Sequence, residues 1–255
     1  MDGRLSECRW PDLPAPYDAA LREATAEVFE VAEPIGIIAT GTIIRGTAHA
    51  ASDLDIYVVH RAAFRRRIQR FFRGVPAEIF INPPHAVRSY FQEEHRDARP
   101  ITAHMIATGV VVWQSDAVVD ELRAEAIQWL ARQSEFPEDA LLRARYGAAS
   151  RLEDGFDLIG TDSASANMLL TLAVVGMLEI ECRKRSGRIP RGKDLLATIE
   201  EFDPQLGALA KSFFTAQSDV ERRACAESIA DRTIEARGFF AWDSGPEPFP
   251  ASERQ

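Results

Sequence analysis

IGIIATGTIIRGTAHAASDLDIYVV, residues 35–59, is the stretch from which the architecture follows. It opens on an apolar run, Ile35 to Ile38, that reads as a buried strand. Gly41-Thr42 follows at once, and then Arg45-Gly46. Ser52-Asp53-Leu54-Asp55 runs directly into Ile56-Tyr57-Val58-Val59, a second strand. Side chains alternate across a strand, so Asp53 and Asp55 are expected on one face.

Two carboxylates this close repel, and one is driven toward protonation unless a cation lies between them. Oxygen donors suit Mg²⁺ or Mn²⁺. Gly41 permits close backbone approach at a strand end, and a helix starting at Thr42 would offer free N–H groups to an anion. This ordered set resembles the DNA polymerase β-like nucleotidyltransferase superfamily. The signature of that superfamily is a Gly-Ser pair, then Asp-x-Asp, then a third carboxylate on a later strand. Here the pair is Gly41-Thr42, in which Thr keeps the hydroxyl, and the dyad is Asp53-x-Asp55. Arg45-Gly46 and Ser52-Asp53-Leu54-Asp55 are similar to the longer form in minimal and antibiotic-modifying members.

Composition narrows the partners. The chain has 255 residues, a formal net charge of -9 and 46% hydrophobic residues, enough for one large or two modest domains with a sizeable core. Its acidity argues against a general nucleic-acid binder, which needs a basic footprint. A cationic or neutral small substrate suits it better. No signal-like segment opens the chain, and the longest apolar run, Met168 to Leu178, is too short to span a bilayer. No membrane partner is therefore expected. Cys8, Cys182 and Cys225 lie far apart without metal-ligand spacing, which suits reduced thiols and a cytoplasmic location.

The pattern along the chain predicts an α+β protein in two parts. Met1 to Pro16 reads as a loosely held arm, and Tyr17 to Ala32 as an amphipathic helix with Ala20, Leu21, Ala24, Val28 and Val31 on one stripe. After the strand–Gly-Thr–strand unit, Arg61 to Arg73 reads as a helix, with Phe64, Ile68, Phe71 and Phe72 on one side and Arg66, Arg70 and Arg73 on the other. Those arginines form either a solvated face or a phosphate-contacting patch. Val75 to Ile81 is a third strand, and Glu78 is the isolated charge within it. Helical stretches at 85–94 and 100–108, the latter holding His104, lead to a fourth strand at 110–113.

Beyond Ser115, a candidate N-cap, the strand signal ends and only helices are predicted, at 116–133, 137–159, 163–186, 194–201, 204–216 and 219–236. Residues 1–114 therefore form a small mixed-sheet domain and 115–255 a helical bundle, with the very apolar helix 163–186 at its centre. The tail from Gly238 is dense in aromatics and prolines. Its first half is expected to pack back, and its last residues to be disordered.

The resemblance implies specific roles. Asp53, Asp55 and Glu78 would bind two Mg²⁺ (or Mn²⁺) ions, with Glu78 able to act as general base. Gly41 and Thr42, with Ser52 and Arg45 near them, would cradle the phosphates of ATP or another nucleoside triphosphate. A lysine from the helical domain, here Lys193, would reach the triphosphate, as in kanamycin- and streptomycin-type members. In those enzymes a helical-domain carboxylate activates the acceptor, for which Glu153, Asp154, Asp157, Glu179 and Glu181 are the candidates. The implied reaction moves a nucleotide to a hydroxyl of a small, aminoglycoside-like molecule. A protein or tRNA acceptor, as in antitoxin-type members, and a non-catalytic nucleotide-binding module are the alternatives. A homodimer is compatible with either.

Overall fold

The computed structural model describes residues 3–49 and 51–246. The chain divides into two compact units, Met1–Gln133 and Ser134–Gln255.

The first unit is α+β. Among its described residues, β1 (Pro34–Thr40), β2 (Leu54–His60), β3 (Arg66–Phe72), β4 (Val75–Asn82) and β5 (Val110–Gln114) form one sheet in the order β3-β4-β2-β1-β5. β1 is antiparallel to β2 and β5, β3 is antiparallel to β4, and β2 is parallel to β4. Alternation gives the sheet two apolar faces. Leu54, Ile56 and Val58 join Ala77, Ile79 and Ile81 beneath α1 (Ala15–Val31), whose Ala20, Leu21, Ala24 and Val28 are buried. Tyr57 and Val59 face the other way. They pack with Phe91 of α3 (Pro84–Arg96), Ile106 of α4 (Ile101–Thr108) and Leu122 of α5 (Val118–Ala131).

Residues 61–73 are not a helix. Phe64, Ile68 and Phe72 recur every fourth residue, and four residues is close to one helical turn but also two full pleats of a strand. The chain takes the second option because Arg73-Gly74 closes a two-residue hairpin with β4. Both residues have positive φ, 49° and 82°, the handedness that matches the twist of paired strands. β3 buries Ile68 and Phe72 and leaves its other side chains exposed, as suits an edge strand lined with arginines.

The N-terminal arm is docked rather than loose. Residues 3–7 form a 3₁₀ turn, Leu5, Trp10 and Leu13 pack on the α1-side core, and Arg9 N donates to Val112 O at 2.7 Å. Ser115 does not cap α5. The helix begins at Val118, and the Asp116 carboxylate accepts from Val118 N at 3.0 Å. α5 falls in the first unit, beyond the point where strand patterning stops, because its apolar stripe packs on α3 and α4 and completes the second face of the sheet.

The second unit is helical: α6 (Glu138–Asp157), α7 (Ser163–Ser186), α8 (Leu195–Phe202), α9 (Pro204–Thr215) and α10 (Asp219–Thr233). Its core gathers Leu152, Leu170, Val174, Met177, Phe213 and Ile229. α7 runs between an Asp162 N-cap and Gly187, whose φ of 66° ends it in the left-handed region. Taken whole, α7 is long and apolar enough to cross a membrane by length and composition, although the run inside it is not. Its buried stripe packs against α6 and α10, while Met168 and Leu172 are exposed. The tail returns onto α6, with Trp242 against Tyr146. Pro248, Phe249 and Pro250 lie outside the described residues.

Candidate active site

The site grows from the end of β1. Gly41 has a φ of 89° and opens the four-residue turn α2 (Gly41–Ile44). A Cβ on Gly41 would lie 2.3 Å from Asp55 Oδ2. The Asp55 carboxylate therefore rests directly on the glycine backbone, and no larger residue fits between them. The two halves of the sequence motif meet here in space.

The loop between them is tied at both ends. Thr42 Oγ1 donates to Ser52 Oγ at 3.2 Å, and Ser52 Oγ accepts from His49 N at 2.9 Å. Ser52 is buried and its hydroxyl is taken up by this loop, whereas Arg45 is exposed at the end of α2. His49 was not singled out from sequence. It sits in the loop with Nδ1 accepting from Ala51 N at 3.2 Å.

Strand register then lines up a row of polar residues. Thr40 pairs with Asp55, Asp55 with Glu78, and Glu78 with Gln69. Residues in register share a face, so Asp55 and Glu78 are neighbours on the same side of the sheet. Asp53 stands exposed just ahead of β2. Glu78 is half-buried and already engaged, because its Oε1 accepts from Arg67 Nη2 at 2.5 Å and from Gln69 Nε2.

Neither Arg67 nor Gln69 is prominent when 61–73 is read as a helix. Strand alternation would have placed both on the acid-bearing face. Arg66 and Arg70 occupy the opposite face, and Arg70 and Arg73 pair with Glu27 and Glu23 of α1 at 2.6 and 2.9 Å. The arginines expected as a patch lie away from the acids, where Arg70 and Arg73 tie the edge strand to α1. The arginine beside the acids is Arg67, outside that set.

The three carboxylates are hard oxygen donors, as a divalent cation requires. They fit in kind, and Asp55 and Glu78 fit in face. The Glu78 oxygen, however, is held by β3, and among the described residues no three Asp, Glu, His or Cys side chains stand together as a ready metal cage.

Other ionisable groups of this unit are taken up by the fold. Burial pushes the Tyr57 hydroxyl up, and it accepts from Asn82 Nδ2 at 3.1 Å. Burial likewise pushes the Glu94 carboxyl up, while Thr102 N and Oγ1 donate to it at 2.6 and 2.7 Å. His104 is on the exposed side of α4.

No protein-family model matches the chain, and no curated protein does. Among solved structures the chain is similar to a nucleotidyltransferase-like protein from Exiguobacterium sibiricum 255-15. The TM-score is 0.50 at 13% identity, over 85% of this chain and 73% of the other.

The chain shares its fold with that protein.

Within that fold the remaining candidates belong to the second unit. Lys193 lies on an exposed 3₁₀ turn, Gly192–Asp194. Glu181 is buried on α7 and bound by Lys184 at 3.3 Å and Arg185 at 2.5 Å, so its carboxylate holds the helix end together. Asp154 and Asp157 are exposed on α6, and Glu153 and Glu179 are half-buried on α6 and α7.

Proposed function

We propose that the chain is a nucleotidyltransferase that moves AMP from ATP to a hydroxyl of a small, aminoglycoside-like molecule. One observation carries this reading. The Gly41 backbone and the Asp55 carboxylate are in contact, and Glu78 is next to Asp55 in register on the same face. A glycine-opened turn against a carboxylate row is what phosphoryl chemistry needs: close approach for an anion, and donors for the cations that accompany it.

Asp53 and Asp55 would hold the divalent cations, with Glu78 completing the set. When bound, the cations neutralise charge on the phosphates and lower the pKa of the acceptor hydroxyl. Gly41 lets the chain come close to the phosphates, Thr42 and Ser52 fix the loop around them, and Arg45 supplies positive charge. Glu78 takes the hydroxyl proton. The acceptor oxygen then bonds to the α-phosphorus, the bond to the β-phosphate oxygen breaks, and pyrophosphate leaves. The net charge of -9 favours a cationic acceptor over a nucleic acid.

The test is incubation with Mg²⁺ and ATP labelled in the α-phosphate, against panels of aminoglycosides, proteins and tRNA. Pyrophosphate release with label on an aminoglycoside is the expected result. Label on a protein or on tRNA would replace the acceptor but keep the chemistry. ATP binding without turnover on any panel would leave a nucleotide-binding module.

A further inference from the structure

Two side chains of β3 converge on one oxygen. Arg67 Nη2 and Gln69 Nε2 both donate to Glu78 Oε1, and the Arg67 guanidinium also lies over the Phe80 ring, 4.8 Å from its centroid. Phe80 is two residues beyond Glu78 on the same face of β4, so the ring steers the arginine toward the acid. The Glu78 side chain is 18% exposed and that of Arg67 58%. Edge-strand protection alone requires charge on β3 but not on this face, and Arg66 and Arg70 on the other face already supply charge.

An oxygen that accepts from a guanidinium is a poor donor to a cation until that contact loosens. A bare divalent cation would also be repelled by Arg67. A cation arriving with a triphosphate brings net negative charge, which gives Arg67 a better partner than Glu78.

We propose that Arg67 and Gln69 are positioning residues that hold Glu78 away from the divalent cations until a nucleotide draws Arg67 off. The inference rests on the nucleotidyltransferase reading above. It makes recruitment of the third carboxylate depend on the nucleotide, so the cation site is complete only when substrate is present.

The experiment is Mn²⁺ titration of the full chain without nucleotide, followed by electron paramagnetic resonance. It uses wild type, Arg67→Met, Arg67→Lys, Gln69→Met, Glu78→Gln, the Arg67→Met/Glu78→Gln pair and Asp53→Asn. Met keeps the apolar stem over Phe80, and thermal melting of each variant reports folding. Releasing a half-exposed ion pair should tighten Mn²⁺ binding about two- to fivefold in Arg67→Met. Gln69→Met should tighten it in the same direction although no charge changes. Arg67→Lys should stay near wild type, and Arg67→Met should have no effect once Glu78 is Gln.

The proposal is overturned if Gln69→Met changes nothing and the Arg67→Met effect persists in the Glu78→Gln background, since that is long-range charge alone. It is also overturned if neither variant moves Mn²⁺ affinity. If Asp53→Asn leaves Mn²⁺ binding unchanged, the cation reading itself fails, and the positioning role fails with it.

Discussion

The acid row of the sheet and the Asp203 junction of the helical unit both gather carboxylates and arginines, yet they use them differently. Asp203 caps α9, accepting from Leu206 N at 3.0 Å, and pairs with Arg232 at 3.0 Å and Arg185 at 3.6 Å. The Leu206 N–H first, with Arg232 and Arg185 after it, holds the Asp203 carboxyl below the usual range. Each contact there closes a helix end or joins two helices. In the acid row Asp55 lies against the Gly41 backbone and Asp53 stands exposed just ahead of β2. Carboxylates that finish secondary structure are explained by folding. The carboxylates of the acid row are the ones to which the proposed function gives a ligand.

The largest expected effect breaks the comparison at the sheet. Asp53→Asn or Asp55→Asn should lower pyrophosphate release about a thousandfold or more, because holding the cations is worth several kcal/mol in the transition state. The melting temperature should hold or rise, since carboxylate repulsion is relieved. Unfolding of either variant would instead assign these acids to the same structural class as Asp203.

Next is Gly41→Ala. Its Cβ would collide with Asp55, and its φ of 89° is strained for any L residue, so a stability loss of about 1–3 kcal/mol is expected together with lost turnover. Chemical denaturation and the ATP assay read the two effects. Wild-type behaviour would show that glycine and carboxylate are not in contact in solution.

Asp203→Ala should cost about 1 kcal/mol through the lost cap, with turnover untouched. The folded pKa of Asp203 lies below its unfolded value. Its contribution to stability is therefore fully present above the ordinary carboxylate range and lost as pH falls through the folded pKa. A pH series of melting temperatures should show that loss in wild type and a weaker one in Asp203→Asn, which keeps the cap but not the ion pairs. The smallest effect is Arg70→Ala at the exposed Glu27 pair, which should change stability by less than about 1 kcal/mol in a denaturant titration. A larger loss would mean that the arginines on the α1 side carry more of the hold on β3 than surface pairs usually do.

Much of the fold was legible in the order of residues because its signals are local. α7 begins at Ser163 and ends at Ser186, as its apolar run and Gly187 suggested, since a cap, a run and a left-handed stop act within a few residues of one another. β4 was readable from five apolar residues around one charge. β3 was not, because spacing of four satisfies both periods and only a partner strand decides between them. The docked arm was also illegible: Leu5, Trp10 and Leu13 are too sparse to show a pattern, and the core they cover lies on distant strands.

By itself the sequence determined that a glycine ends one strand, that two aspartates flank the first residue of the next, and that a lone glutamate sits in a third. These follow from backbone sterics and period-two alternation, which need no neighbours. Only the tertiary structure decided that β4 lies parallel to β2 with Glu78 level with Asp55, and that β3 joins the edge to set Arg67 and Gln69 on Glu78. Strand order and register are settled by which apolar faces bury against α1 and against α3 to α5, a property of the whole sheet and not of any one segment.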